Sequence, residues 1–418
     1  MKSKKILVWF RNDLRLHDNE MLVEAIAKSE HILPVYFFDP RYFDQEQVTK
    51  SGIIRGKFLV ESVVALRIAL QKLQGDVLII NGKPEDHITE LVERFEISEV
   101  YHHREVAPAE TQVSANVEDL LWKIKVNLKH FIGHTLYNKE DLPFPIKDIP
   151  DVFAQFKKKT ERDASVKPCI ARPEQINFVE VEDWGAVPTL AELFHAPELT
   201  DDGGLEGMIG GEDAGLEHLS EILKPGSSIY LKPAAKAAER QGYNSHLSAW
   251  LSLGCLSPRQ VYWSVRKAEE QFGSNPNFNH ILLGLLWRDY YRFMFKKHGA
   301  GYLQDAQLKL ELDTQDEQEL AFADWKSGQT GHVMIDSLMD ELNQTGYLPH
   351  QARILVATFL VHVLKINWMK GAAYFEERLI DYTTASNWGN WACIAEGSKN
   401  IKSKHTFDVD KQLKLLEN

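Results

Sequence analysis

The hydrophobic period of the chain changes once, and that change sets what it can fold into. From residue 4 to about 140, short β-rich runs alternate with amphipathic helical stretches; from about Lys232 to Arg378 the pattern is helical throughout. Lys5–Phe10, Ile32–Phe38, Asp76–Ile80 and Glu99–His103 read as buried parallel strands, because their apolar residues run on consecutively instead of alternating with polar ones. Asn19–Ser29, Phe58–Leu73 and Glu85–Phe95 carry apolar residues at helical spacing between them. Alternation of this kind predicts a Rossmann-like α/β domain, a parallel sheet with helices on both faces that binds ligands beyond the carboxyl ends of its strands. The first strand runs into Arg11-Asn-Asp-Leu-Arg15 rather than G-x-G-x-x-G, so no nicotinamide cofactor is expected in this half.

A chain of 418 residues exceeds what one hydrophobic core serves, so at least two folding units are expected. We divide it into an α/β domain at 1–140, a connector at 141–230 and an all-helical domain at 231–418. Within the connector, Asp201 to Glu221 is rich in acids and glycines and contains no Lys or Arg, which reads as a solvated surface linker. In the helical part, Ser257-Pro258 is a start signal, with Ser as N-cap and Pro at the first helical position. Ile281–Phe295 and Ile354–Leu364 are apolar nearly all round and predict buried helices, which together can enclose a large planar ligand.

The net charge of −12 argues against a surface coated for unspecific nucleic-acid binding. The charge is unevenly spread. Between Arg259 and Gly299, seven basic side chains (Arg259, Arg266, Lys267, Arg288, Arg292, Lys296, Lys297) face three acids, so this stretch is either a phosphate-facing surface or a set of cross-helix ion pairs. Cys169, Cys255 and Cys393 are widely spaced, which fits neither a disulfide framework nor a zinc site and suits a reducing cytoplasm. No signal peptide and no membrane span are expected; the longest apolar helix is broken by His362 and Lys365. A monomer is expected.

Several motifs then share one resemblance. Trp9-Phe-Arg-Asn-Asp-Leu-Arg-Leu-His-Asp18, Leu253-Gly-Cys-Leu-Ser-Pro-Arg259, Leu286-Trp-Arg-Asp-Tyr290, Thr330-Gly-His-Val-Met-Ile-Asp336 and Ser386-Asn-Trp-Gly-Asn-Trp391, in that order, resemble the photolyase/cryptochrome family, and most of all its cryptochrome DASH branch. The resemblance covers nearly the whole chain. It implies an N-terminal antenna domain and a helical domain that holds FAD.

Residue by residue, the resemblance implies the following. Tyr243, Asn244, Ser245, His246, Leu247 and Ser248 match the segment that holds the FAD diphosphate; alone, Ser245 and Ser248 would read as N-caps. Arg288, Tyr347, His350 and Thr383 fall at further cofactor positions. Arg353 and Asp381 match an Arg–Asp pair beside the flavin ring, and without the resemblance would read as an interhelical salt bridge. Asn387 matches the position facing flavin N5. Trp391 and Trp368 match the inner and middle members of an electron-transfer chain of tryptophans, where core packing is the ordinary role of a Trp. Aligned through Trp325, the outer member falls near Leu312, so photoreduction is expected to be slow or to run through another aromatic such as Tyr302.

Trp287 and Gly284 share one helical face, where the family stacks a Trp on a flipped-out pyrimidine dimer, an interaction of roughly 1–3 kcal/mol per base. Position 284 carries Glu in the family; Gly284 removes that charge-assisted contact. His350-Gln351, Asp340 and Thr383 also depart from the family pattern, and the tail around His405–Gln412 is expected to leave the pocket wall partly absent or rebuilt. Glu110 matches a Glu that contributes to a methenyl-folate antenna site, or is a solvated helix-start acid. Functionally, the resemblance implies a blue-light flavoprotein that binds DNA and reverses pyrimidine dimers in single strands by electron transfer. The alternatives are a photoreceptor without repair and a flavoprotein that has lost its light function.

Overall fold

The computed structural model describes residues 4–43, 50–197, 204, 207–230, 244–299, 316–396 and 409–416. Tyr243, Tyr302, Leu312 and His405 lie outside them. A five-stranded parallel sheet opens the chain: β1 (Lys5–Phe10), β2 (His31–Phe38), β3 (Leu78–Asn81), β4 (Glu99–His103) and β5 (Asn127–Phe131), in the order β3-β2-β1-β4-β5. Leu7 pairs with Leu33 on one side and Val100 on the other, and all three are fully buried. Helices α1 (Glu20–Lys28), α2 (Ile53–Gln71), α3 (Pro84–Arg94) and α4 (Pro108–Lys123) connect the strands. Strand order reverses between β1 and β4, so the Arg11–Arg15 loop leaves the sheet where a ligand crevice would form.

After α5 (Phe153–Asp163) and the short α6 (Leu190–Leu193), the connector contains α7 (Glu212–Leu223), and this corrects the reading of Asp201–Glu221 as wholly solvated. Glu212 is buried, and its carboxylate accepts from the backbone N–H groups of Leu16 and His17, both at 2.9 Å. An acid-rich composition hid one carboxylate that caps a loop of the other domain. The helical domain follows with α8 (Ser248–Ser252), α9 (Pro258–Phe272), α10 (Pro276–His298), α11 (Asp316–Ser327), α12 (Val333–Thr345), α13 (His350–Thr358), α14 (Trp368–Arg378), α15 (Thr384–Glu396) and α16 (Val409–Leu416). Ser257 caps α9 by accepting from Arg259 N. A single π turn, Phe359–Val363, ends α13.

Polar groups stitch the two domains together. Asp18, fully buried, pairs with Arg259 at 2.8 Å and accepts from Ser257 Oγ. Arg15 donates to the carbonyls of Gly254 (2.8 Å) and Gly133 (2.9 Å). Asp289 on α10 accepts from Leu136 N (2.9 Å) and Tyr137 N (3.0 Å), and Arg292 pairs with Glu105 at 2.9 Å. Gly254 has φ +67°, and a Cβ there would stand 1.9 Å from the Asn12 carbonyl oxygen, so only glycine lets the two loops close. One apolar cluster runs through the seam, from Phe10 and Phe58 to Trp250, Leu256 and Phe293.

These pairs also resolve the basic stretch. Arg259, Arg266, Arg292 and Lys297 each meet a carboxylate, and Arg288 donates to two carbonyls. Most of these basic side chains are therefore engaged by the protein itself. Among the described residues, no helix is long and apolar enough to cross a membrane, and no cluster of His, Cys, Asp and Glu is arranged to hold a metal.

Candidate flavin site

A cavity opens between α13, α14 and α15, with about 480 Å³ free of atoms when the solvent at its mouth is included, lined by His350, Arg353, Phe375, Asp381, Thr383, Asn387 and Trp391 among others. Three elements converge on it because α13 and α15 pack on each other and α14 packs against α15. Arg353 pairs with Asp381 Oδ2 at 2.8 Å and donates from Nε to Leu348 O at 2.7 Å. Burial works against the Arg353 charge, but Asp381 and Tyr347 hold its pKa above the ordinary value. Asp381 Oδ1 is buried and has no hydrogen-bond partner. A carboxylate oxygen in that condition is costly unless a donor arrives from elsewhere.

Next to this pair stands the 244–248 loop. Arg353 lies over the Tyr347 ring at 5.2 Å, and the other neighbour of that ring is His246, stacked at 4.8 Å. Tyr347 O–H donates to Asn244 Oδ1 at 2.5 Å, and His218 Nε2 bonds the Ser245 carbonyl at 2.8 Å. His246 sits at φ +54°, its Nδ1 is buried without a partner, and burial lowers its pKa. Leu247, not a serine, precedes α8, and no side chain caps that helix. Neither Ser245 nor Ser248 is the N-cap that composition alone would make of it.

On the other side, Asn387 Nδ2 donates to Ala372 O at 2.9 Å. Trp391 is 2% exposed and packs so tightly on α14 that a Cβ at Gly371 would meet its ring at 2.3 Å. The rings touching Trp391 are Phe375 (centroids 5.1 Å) and Trp325 (6.4 Å). Trp368 instead meets Trp388, at 5.8 Å.

Other expected residues lie apart from the cavity. Arg288 donates to His134 O (3.0 Å) and Leu251 O (2.8 Å), and burial lowers its pKa to about 10. It braces α8 from behind. Trp287 stacks on Phe153 with centroids 3.5 Å apart, while Gly284 is exposed, with nothing within 4 Å of where its Cβ would stand. Glu110 lies in the seam: Thr384 Oγ1 donates to its Oε1 at 3.2 Å and Ala107 N to its Oε2 at 3.3 Å. Burial, and then the neighbouring Glu105 carboxylate, push its pKa up to about 7. Glu110 is the helix-start acid of α4, half-buried rather than fully solvated. Sequence reasoning missed Phe375, Tyr382, Ser386 and Asn390 on the cavity wall. Tyr382 and Ser386 were reachable as neighbours of Asp381 and Asn387; Phe375 carried no signal beyond helical spacing.

The family description "DNA photolyase" matches residues 6–174, and "FAD binding domain of DNA photolyase" matches residues 281–417. Cryptochrome DASH of Gloeobacter violaceus is 38% identical over 416 residues, covering 99% of this chain and 83% of the relative. Cryptochrome DASH of Arabidopsis thaliana, described as chloroplastic/mitochondrial, is 35% identical, covering 97% of this chain and 72% of the relative. The crystal structure of a Synechocystis cryptochrome superposes with a TM-score of 0.87 at 36% identity, covering 100% of this chain and 87% of that one. The chain belongs to the photolyase/cryptochrome family. It is an FAD flavoprotein of that family, and the cavity fits the cofactor: a buried acceptor on Asp381 awaits a donor, and a cation stands beside it.

Proposed function

We propose that this protein is a blue-light flavoprotein in which illumination draws an electron from Trp391 into the cavity, and that it binds single-stranded DNA and reverses pyrimidine dimers. The observation that carries the reading is the half-satisfied Asp381, paired with Arg353 and sharing one cavity with Asn387 and Trp391. FAD bound there supplies a light-absorbing group that exchanges single electrons. Asp381 Oδ1 would accept a hydrogen bond from that group and fix its orientation. Arg353 offsets negative charge that develops beside it, in surroundings where a charge counts for more than in water. Asn387, whose side chain donates to Ala372 O, lines the cavity, and the 244–248 loop would serve the diphosphate. Glu110 belongs, in this reading, to a methenyl-folate antenna site.

A second reading, a photoreceptor without repair, is favoured by Gly284 and by Phe153, which lies on one face of the Trp287 indole. One experiment decides between them. The purified protein is scanned for flavin and folate bands, then illuminated with a thymine-dimer oligonucleotide under reducing conditions. Loss of dimer supports repair; bound flavin with intact dimer supports the photoreceptor; absence of flavin overturns both. Gly284→Glu raises dimer affinity if the surrounding surface is otherwise competent.

A further inference from the structure

We infer that His218, on the connector helix α7, is a positioning residue for the flavin diphosphate: it turns the Ser245–His246 peptide so that its carbonyl oxygen faces away from the anion. The inference rests on the reading above in which the 244–248 loop serves the diphosphate. A carbonyl accepts and never donates, so the 2.8 Å bond to Ser245 O places a hydrogen on His218 Nε2. At the other end of the same peptide, His246 N donates to Asn244 Oδ1 at 3.3 Å, and that oxygen also accepts from the Tyr347 hydroxyl. A peptide group is planar, so pinning its oxygen and its N–H fixes the whole plane. The oxygen points to the connector, and the N–H to the side of Tyr347, over whose ring Arg353 lies.

This orientation is not one the backbone takes unaided. His246 has φ +54°, a left-handed value that persists only where neighbours hold it. Turning the peptide over would return φ at His246 to the extended region. It would also swing the Ser245 oxygen to the Tyr347 side, where a phosphate would meet a second negative pole instead of an N–H. The bond from His218 opposes that turn.

Helix α7 is firmly placed for the task. Glu212, Gly215 and His218 are spaced three apart along it, so they share one side. Glu212 fastens the start of the helix to the backbone of Leu16 and His17. Gly215 lets the helix close on Trp250, since a Cβ there would stand 2.8 Å from that indole. Trp250 is itself buried and donates from Nε1 to Ile209 O at 2.9 Å, just ahead of α7. His218 then stacks on the same indole, with centroids 4.9 Å apart and 24° between the planes, while its Nε2 reaches Ser245. A stacking contact and a hydrogen bond thus meet in one imidazole, and substitution can separate them.

The test is equilibrium dialysis of the full chain against FAD and against riboflavin, which has the flavin ring but no phosphate, in wild type, His218→Phe and His218→Gln. The first variant keeps a ring on Trp250 and removes the donor; the second keeps an N–H donor at similar reach and removes the ring. His218→Phe weakens FAD binding about fivefold, as one lost hydrogen bond does, and leaves riboflavin binding within about twofold of wild type. His218→Gln holds FAD within about twofold of wild type. Should His218→Phe fail to fold, His218→Met, which fills the space flexibly and carries no donor, takes its place. Equal losses of FAD and riboflavin in the variant without a donor, or a loss of FAD in His218→Gln as large as in that variant, overturn the inference. A wild type that binds riboflavin as tightly as FAD sinks the diphosphate reading of the loop and this inference with it, whereas a preference for FAD that His218→Phe leaves intact sinks the inference alone.

Discussion

In the seam between the domains, Asp18, Glu105, Glu212 and Asp289 each have both oxygens engaged by protein donors, most of them from across the seam, whereas Asp381 in the flavin cavity has one oxygen paired and one bare. The first region is complete without a ligand; the second is not. Both are built from motifs of the same resemblance, so motif strength alone does not separate residues that hold the protein together from residues that hold its cofactor. Satisfaction of the buried polar atoms does.

Breaking a seam carboxylate has the largest expected effect. Asp18→Ala leaves the Arg259 guanidinium buried and unpaired and lowers unfolding free energy by about 3–5 kcal/mol, with or without FAD. Denaturant unfolding of the FAD-free and loaded protein checks it, and a loss seen only in the loaded protein would merge the two regions. Gly254→Ala comes next, at about 2–4 kcal/mol, since the new methyl meets the Asn12 carbonyl at a left-handed backbone position. Asp381→Asn should behave oppositely to the seam variants. It removes the charge opposite Arg353 and weakens FAD retention by about 1.5–3 kcal/mol, tenfold or more, while FAD-free stability changes less. Equilibrium dialysis and flavin absorbance measure it.

The smallest effect sharpens the comparison by pH. The Glu110 carboxyl titrates near 7 when folded, above its value of about 4.3 in an unfolded chain. Between those values the folded state holds the extra proton, so the Glu110 contribution declines as pH rises through 7. Glu110→Gln removes that loss and should gain on wild type by about 1 kcal/mol between pH 5 and pH 8. Parallel stability curves for the two proteins would show that Glu110 is open to water.

Much of the architecture was legible in the sequence because buried parallel strands and all-round apolar helices write long, unambiguous patterns. β5 was not, since Asn127-Leu-Lys-His-Phe131 mixes polar and apolar residues as an edge strand does, and α4 carries a polar face along most of its length. In the site, the grouping of Arg353, Asp381, Asn387 and Trp391 was legible only through the resemblance, because a separation of 28 positions hides an ion pair from any local pattern. Ring orientation was not legible at all. Trp388 turns to Tyr382 and Trp391 to Phe375 although both lie on one helix, three residues apart; the close approach of Gly371 to Trp391 decides the latter. The basic helices left two readings open for a related reason, since their partners Asp18, Glu105 and Asp151 sit far upstream.

The closure at Gly254 also bears on how the molecule can be taken apart. Boundaries drawn at residues 140 and 230 follow the change in hydrophobic period, but they cut through Asp18–Arg259, Arg15–Gly254 and Asp289–Tyr137. Either half made alone would carry buried-type charges with nothing to meet them, and a loop shaped to fit a carbonyl that is no longer there. Melting should therefore show one transition, not two, and a gene split at the apparent boundary should yield fragments that fold only on each other.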